Sequence, residues 1–130
     1  MQVLRTVLRW VLALAMVGVG ILHFTRAPLF TNIVPAWLPF PALLVYVSGL
    51  CEIGLGLGVL APRTRRWAGL GLIALYVAVF PANINMALHP ELASDLPHWA
   101  LYARLPFQAL FIAWAWWVSK VDPTPRTVIP

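Results

Sequence analysis

The sequence predicts an all-α membrane protein, an antiparallel bundle of four transmembrane helices with a short interfacial segment between the first and second. Three observations carry that reading. Of 130 residues, 62% are hydrophobic and only 10% are charged, and the mean hydropathy of +0.84 lies far outside the range of ordinary soluble domains. The apolar residues fall into four long stretches, about 6–24, 42–61, 67–88 and 99–119, separated by segments that hold Pro, Arg, His or Asp. No alternating ten-residue strand pattern is present, and backbone groups in lipid must be satisfied inside a helix or a closed barrel.

A hydrocarbon core of about 30 Å needs about 20 helical residues at a rise of about 1.5 Å each. The last three stretches meet that length directly, and the first meets it when it starts near Thr6. Arg5 and Arg9 ahead of a short apolar run also suit a secretory leader. No small-x-small cleavage site follows in "GILHFTRAPLF", so the expectation is a retained helix. The prolines of the terminal "DPTPRTVIP" cannot continue the fourth helix, which leaves a tail over 120–130. Loops this short leave room for one domain over 1–130.

The net charge of +5 and isoelectric point near 10.4 invite a nucleic-acid reading, and the positions of the charges argue against it. Arg5 and Arg9 precede the first helix, Arg63, Arg65 and Arg66 separate the second and third, and Lys120 and Arg126 follow the fourth. Those segments share one side of the bundle and hold seven of the nine basic residues. The positive-inside rule then puts both termini in the cytoplasm, with Arg26, Glu91 and Asp95 opposite. The basicity is a topology signal: the expected partner is the lipid bilayer, with a membrane protein or a second copy beside it, and no nucleic acid. The single cysteine, Cys51, falls inside the second helix and forms neither an internal disulfide nor a CxxC pair.

The connection 25–41, "TRAPLFTNIVPAWLPFP", is too broken by proline to span, and its aromatic residues suit the headgroup interface, as an anchor or as a lid over the bundle. The second and third stretches carry Gly49, Gly54, Gly56 and Gly58, then Gly69 and Gly71. Small residues at such spacing let backbones approach closely, so these two helices are expected to be the tight pair.

The candidate functional residues are the polar groups inside the apolar stretches. Glu52, in "VSGLCEIGLGLG", lies near the midplane of a helix that enters at Ala42. Arg104 on the fourth stretch lies closer to the surface, and its long stem can reach inward. Ser48 and Gln108 sit one turn from Glu52 and Arg104 on the same faces. Asn83 and Asn85 follow Pro81, which frees the carbonyl of Val77, and His23 ends the first helix. A charge at mid-helix costs about 2.5 to 3.5 kcal/mol on insertion scales, so Glu52 and Arg104 are expected to face each other as an ion pair. Three roles stay open for this network: fixing helix register, lining a ligand pocket, or acid–base chemistry. His89, Glu91, Asp95 and His98 match no metal-site spacing, and no phosphate loop, nucleophile elbow or HExxH motif is present.

"GILHF", "PLFTNIVPAWLP" and "VYVSGLCEIGLGLGVLAPRTRRWAGLGLIALYVAVFPANINMAL" resemble the DoxX-like family of small four-helix bacterial membrane proteins over about residues 18–118. The resemblance puts His23, Phe24, Pro35, Pro39, Ser48, Gly49, Glu52, Arg65, Pro81 and Asn83 at motif positions. It implies a bacterial inner-membrane location and an association with membrane oxidoreductase or thiol-stress systems, including a thiosulfate:quinone oxidoreductase subunit in a related branch. The expected function is then a non-catalytic accessory subunit whose pocket takes a lipophilic ligand such as a quinone. Glu52, Arg104, His23, Ser48, Asn83 and Gln108 are its polar contacts, with Phe24, Trp37 and Tyr46 as walls. The alternative is an intramembrane enzyme that uses Glu52 and His23 as acid and base on a lipid-soluble substrate.

Overall fold

The structure, a computed structural model, describes residues 1–93 and 95–123. Residues 124–130 of the expected tail, Arg126 among them, lie outside the described residues. The described chain is helical, with no strand: α1 (Gln2–Thr25), α2 (Ala27–Thr31), α3 (Pro41–Gly58), α4 (Arg65–Leu88), a 3-10 turn (Pro90–Ala93) and α5 (His98–Val118). α2 falls inside the segment expected at the interface. The other helices match the four apolar stretches with ends shifted by a few residues, most at the start of α1 and the end of α3.

Proline sets several of the boundaries. Pro28 and Pro41 occupy the first turns of α2 and α3, where a missing N–H costs nothing. Ahead of Pro41 the chain turns through Phe40 at φ 54°, a left-handed conformation rare for a residue with a side chain. Pro81 and Pro106 lie inside α4 and α5, where each removes one backbone hydrogen bond.

The four long helices form a ring in chain order. α1 packs chiefly on α3, α4 on α5, and the contacts α3 to α4 and α1 to α5 close it. The α1–α3 seam is the tightest, which corrects the expectation that the second and third apolar stretches pair most closely. A Cβ on Gly20 would lie 2.7 Å from the Gly49 carbonyl oxygen, and one on Gly49 would lie 2.7 Å from the His23 Cβ. The partner glycine on α1 is Gly20, in the first apolar stretch rather than the third.

Two apolar clusters fill the ring. Leu12, Met16, Val59, Leu72, Tyr76, Ala115 and Val118 pack toward the end that carries the N-terminus. Ile33, Met86 and Leu101 pack at the α2 end. Large apolar side chains also point outward, Leu14, Leu50, Val77 and Leu110 among them, one from each long helix. Three helices, α1, α3 and α4, are long and apolar enough to cross a bilayer. α5 has the length; Tyr102, Arg104, Gln108 and its tryptophans lower its hydropathy.

At the N-terminal end the basic residues gather around one carboxylate. Asp122 accepts from Arg5 at 3.2 Å, from Arg9 at 3.0 Å and from Arg65 at 3.3 Å, which ties α1, α4 and the end of α5 together. Arg9 is buried, and it also donates to the carbonyls of Val118 at 2.6 Å and Lys120 at 3.1 Å. Hydrogen bonds from Arg9, helped by its charge and by Arg5 and Arg65, hold the Asp122 carboxyl below the usual carboxylate range.

Two predictions follow from these contacts. Gly49→Ala should destabilise the protein in detergent by about 1–3 kcal/mol, the usual cost of overpacking. Gly54→Ala, where a Cβ meets nothing within 4 Å, should be neutral or stabilising by up to about 1 kcal/mol; thermal unfolding of both variants checks the pair. Because the Asp122 carboxyl is held down in the folded state, its contribution is present above an unfolded pKa of about 4 and is lost as pH falls through the lower folded value. Asp122→Asn should remove that acid limb, and hydrogen exchange at the end of α5 between pH 6 and pH 3 should read the difference.

Candidate functional site

The site follows from the α1–α3 seam. With Gly20 against Gly49, Phe24 stacks on Tyr46, ring centroids 5.3 Å apart, so the first turn of α3 extends past the end of α1. α2 packs into that step against both helices. Its Phe30 ring lies on the His23 imidazole, centroids 3.8 Å apart and 18° from parallel. The segment after α2 is fastened to α4, where the Asn85 amide donates to the Ile33 carbonyl at 3.0 Å.

Beneath α2, between the two apolar clusters, lies a cavity of about 570 Å³, within the range of about 300 to 1,000 Å³ common for small-ligand sites. Its walls are largely apolar, with Phe30, Leu38, Leu75, Val79, Phe107 and Phe111 among them. Six of the predicted polar residues line it: His23, Ser48, Glu52, Asn83, Arg104 and Gln108.

The expected ion pair between Glu52 and Arg104 is not formed. Glu52 faces His23 instead, with 3.2 Å between Glu52 Oε2 and His23 Nδ1. The reason is the ring: α3 and α5 are diagonal, so the cavity separates them, whereas α1 and α3 touch through glycine. Arg104 turns to Met86, its Nη1 3.7 Å from the sulfur.

His23 Nδ1 is also 2.8 Å from the Val19 carbonyl oxygen. A carbonyl only accepts, so Nδ1 carries the proton, and in the neutral ring Nε2 is left as an acceptor. That N–H is committed to Val19, so the approach of Nδ1 to Glu52 is a close contact, and Glu52 Oε2, although buried, has no hydrogen-bond partner among the described residues. Glu52 and His23 are 8% and 6% exposed, so both side chains are buried where they meet.

The amides form a second group. Asn83 Nδ2 donates to Gln108 Oε1, and Gln108 Nε2 donates to the Tyr76 carbonyl. A polar group next to Pro81 was expected to satisfy the Val77 carbonyl; the amide reaches the neighbouring Tyr76 carbonyl, which lies one residue earlier on the helix. The Tyr76 hydroxyl donates to the Met16 sulfur at 3.1 Å.

The predicted aromatic walls are corrected. Phe24 and Tyr46 stack on each other at the exposed surface of α1 and α3, and neither lines the cavity. Trp37 is exposed and borders a smaller surface pocket with Pro35 and Leu88. Of the side chains that do wall the cavity, Phe30, Tyr76, Phe107 and Phe111, Tyr76 and Phe111 sit in apolar runs with no signal separating inward from outward, while Phe107 follows Arg104 by one turn and precedes Gln108, a signal that could have marked it. Cys51 is half-buried and does not line the cavity. His89 and Glu91 meet at 3.3 Å on the surface, and among the described residues no three ligand-type side chains converge as a metal site.

Fold and site together define a helical bundle that encloses a mostly apolar cavity around a buried carboxyl–imidazole pair. Residues 12–119 match the family model described as a domain of unknown function, DUF8561. The match covers most of the chain, and the protein belongs to that family. Comparison with curated proteins and with solved structures finds no match.

The Phe30 stack is testable. Phe30→Ala should leave the fold intact and speed acylation of His23 by diethylpyrocarbonate several-fold, with Leu29→Ala, an exposed neighbour, unchanged. Mass-spectrometric mapping of the modified histidine provides the measurement.

Proposed function

We propose that this chain is a four-span membrane protein of a bacterial inner membrane, both termini cytoplasmic, that holds a lipophilic ligand with a polar head. It acts as a non-catalytic accessory subunit of a membrane redox or stress-response system, and a quinone is one ligand of suitable chemistry. The observation that carries this reading is the cavity of about 570 Å³, apolar on most sides and furnished with a few buried polar groups. Ligand sites in bundles have that composition. The outward apolar residues on every long helix support the bilayer, and the gathering of basic residues at the N-terminal end supports the orientation. The resemblance to the DoxX-like family supports the redox context.

In this reading the α2 end lies at the outer surface, and the ligand enters beside α2. Its polar head meets the buried Glu52–His23 pair or Arg104, and Asn83 and Gln108 keep the α4–α5 wall in place. Native mass spectrometry after mild extraction should retain a lipophile on the wild type. Glu52→Gln should lower its occupancy several-fold while leaving the thermal midpoint within a few degrees. Wild-type protein with neither a retained lipophile nor a co-purifying membrane protein would refute the assignment.

One contact favours a second reading. The 3.2 Å approach of His23 Nδ1 to Glu52 Oε2 is the geometry of an acid–base couple, and general acid–base groups contribute about 10²–10⁴-fold to rates. Turnover of a lipid-soluble substrate that His23→Ala and Glu52→Gln both abolish, with folding intact, would select the enzyme over the carrier.

A further inference from the structure

Most polar groups that line the cavity are engaged by the protein itself. Asn83 and Gln108 hold each other and the Tyr76 carbonyl, the Tyr76 hydroxyl is on Met16, and His23 is on the Val19 carbonyl. Arg104 differs. Its one hydrogen bond runs to the Met86 sulfur at 3.7 Å, a weak acceptor, the residue keeps an exposed side beside the cavity, and no carboxylate of the described residues is paired with it. The guanidinium keeps its charge in any environment, so in a bilayer it requires an anion or a path to water.

We infer that the cavity takes an amphiphile with an anionic head, a carboxylate or phosphate ester on a long apolar chain, and that Arg104 recognises the head. This rests on reading the cavity as a membrane lipophile site and adds the charge of the ligand. Three features of the site fit together. Arg104 lies six residues in from His98, about 9 Å below the start of α5, so the head sits at the α2 end, where an amphiphile enters from the surface. Glu52 is across the ring on α3 and faces His23, so the two charges do not compete for one position. Phe107 and Phe111 continue the same face of α5 inward from Arg104 and supply apolar wall for the chain. A guanidinium fork fits both oxygens of a carboxylate or phosphate at once.

The test uses the full chain in phosphatidylcholine nanodiscs with three probes: oleate, oleyl alcohol of the same chain, and a neutral short-chain ubiquinone. Wild type should bind oleate about tenfold or more tightly than oleyl alcohol, the range of one charge-assisted hydrogen bond. R104Q should lose that preference and R104K should keep part of it. Equal affinity for the acid and the alcohol in wild type would overturn the inference, and needs no variant to fold. If the quinone binds while oleate shows no preference, the lipophile site stands and the anionic head falls; if none of the three binds, both readings fall. Nanodiscs with phosphatidylglycerol separate the two sources of the anion. Competition against oleate identifies a bilayer headgroup, and no competition identifies a free acid. As a second readout, a photoreactive palmitate should crosslink to Met86 or Phe107 beside Arg104, whereas labels confined to the outward Leu14 and Leu50 would count against it.

Discussion

The absence of side chains at Gly20 and Gly49 is the constraint from which the site is built. Each glycine leaves room for the other's backbone, and a Cβ on either would collide with the facing helix. Because α1 and α3 come this close, His23 on α1 is carried to Glu52 on α3, and a carboxyl group inside an apolar helix acquires a neighbour with an N–H. Close packing through small residues is the ordinary means of joining helices whose outer surroundings are as apolar as their side chains. Here it also selects which two polar groups meet.

The same seam opens the cavity. A ring of four helices has short contacts along its sides and longer separations across its diagonals, and side chains fill the difference only where they are large or interdigitate. Toward the N-terminal end Leu12, Leu72, Tyr76 and Val118 fill it. Toward the α2 end, Ile33, Met86 and Leu101 close it beneath the short helix. Between them the groups on α3 and α5 do not reach each other, so the space remains and its polar residues point into it. The Asp122 cluster at the far end has a complementary part: one carboxylate joins three arginines from two helices and ties in the end of α5, which keeps the ring closed where the chain begins and ends.

The polar groups that line the cavity separate into two kinds by their partners. The Asn83–Gln108 pair and the Tyr76 hydroxyl are satisfied within the protein, so they hold α4 to α5 and to α1. Such networks rigidify a core when every member is paired. Glu52 Oε2 is buried without a partner of its own, and Arg104, an exposed residue, faces only a thioether sulfur. They stand on diagonal helices, so the cavity has an acidic wall and a basic one, and a bound molecule would meet both.

The helical class, the approximate ends of the long helices and the identity of the six polar cavity residues were legible in the sequence, because apolar length and isolated polar residues are local properties of a chain. The positions of the basic residues likewise announced that α1, α4 and the end of α5 share one end. Partnership was not legible. Glu52 and Arg104 have opposite charge and compatible depth, which makes them an obvious pair on a line, yet the order of helices around the ring places them across a diagonal. His23, near the end of its helix, reaches Glu52 because α1 and α3 approach closely through Gly20 and Gly49. Phe24 and Tyr46 lie outside the cavity because the contact of Gly20 with Gly49 fixes how α1 and α3 face each other, and Phe30 lies inside it because α2 folds back over that seam onto His23; those contacts exist only once the bundle is assembled.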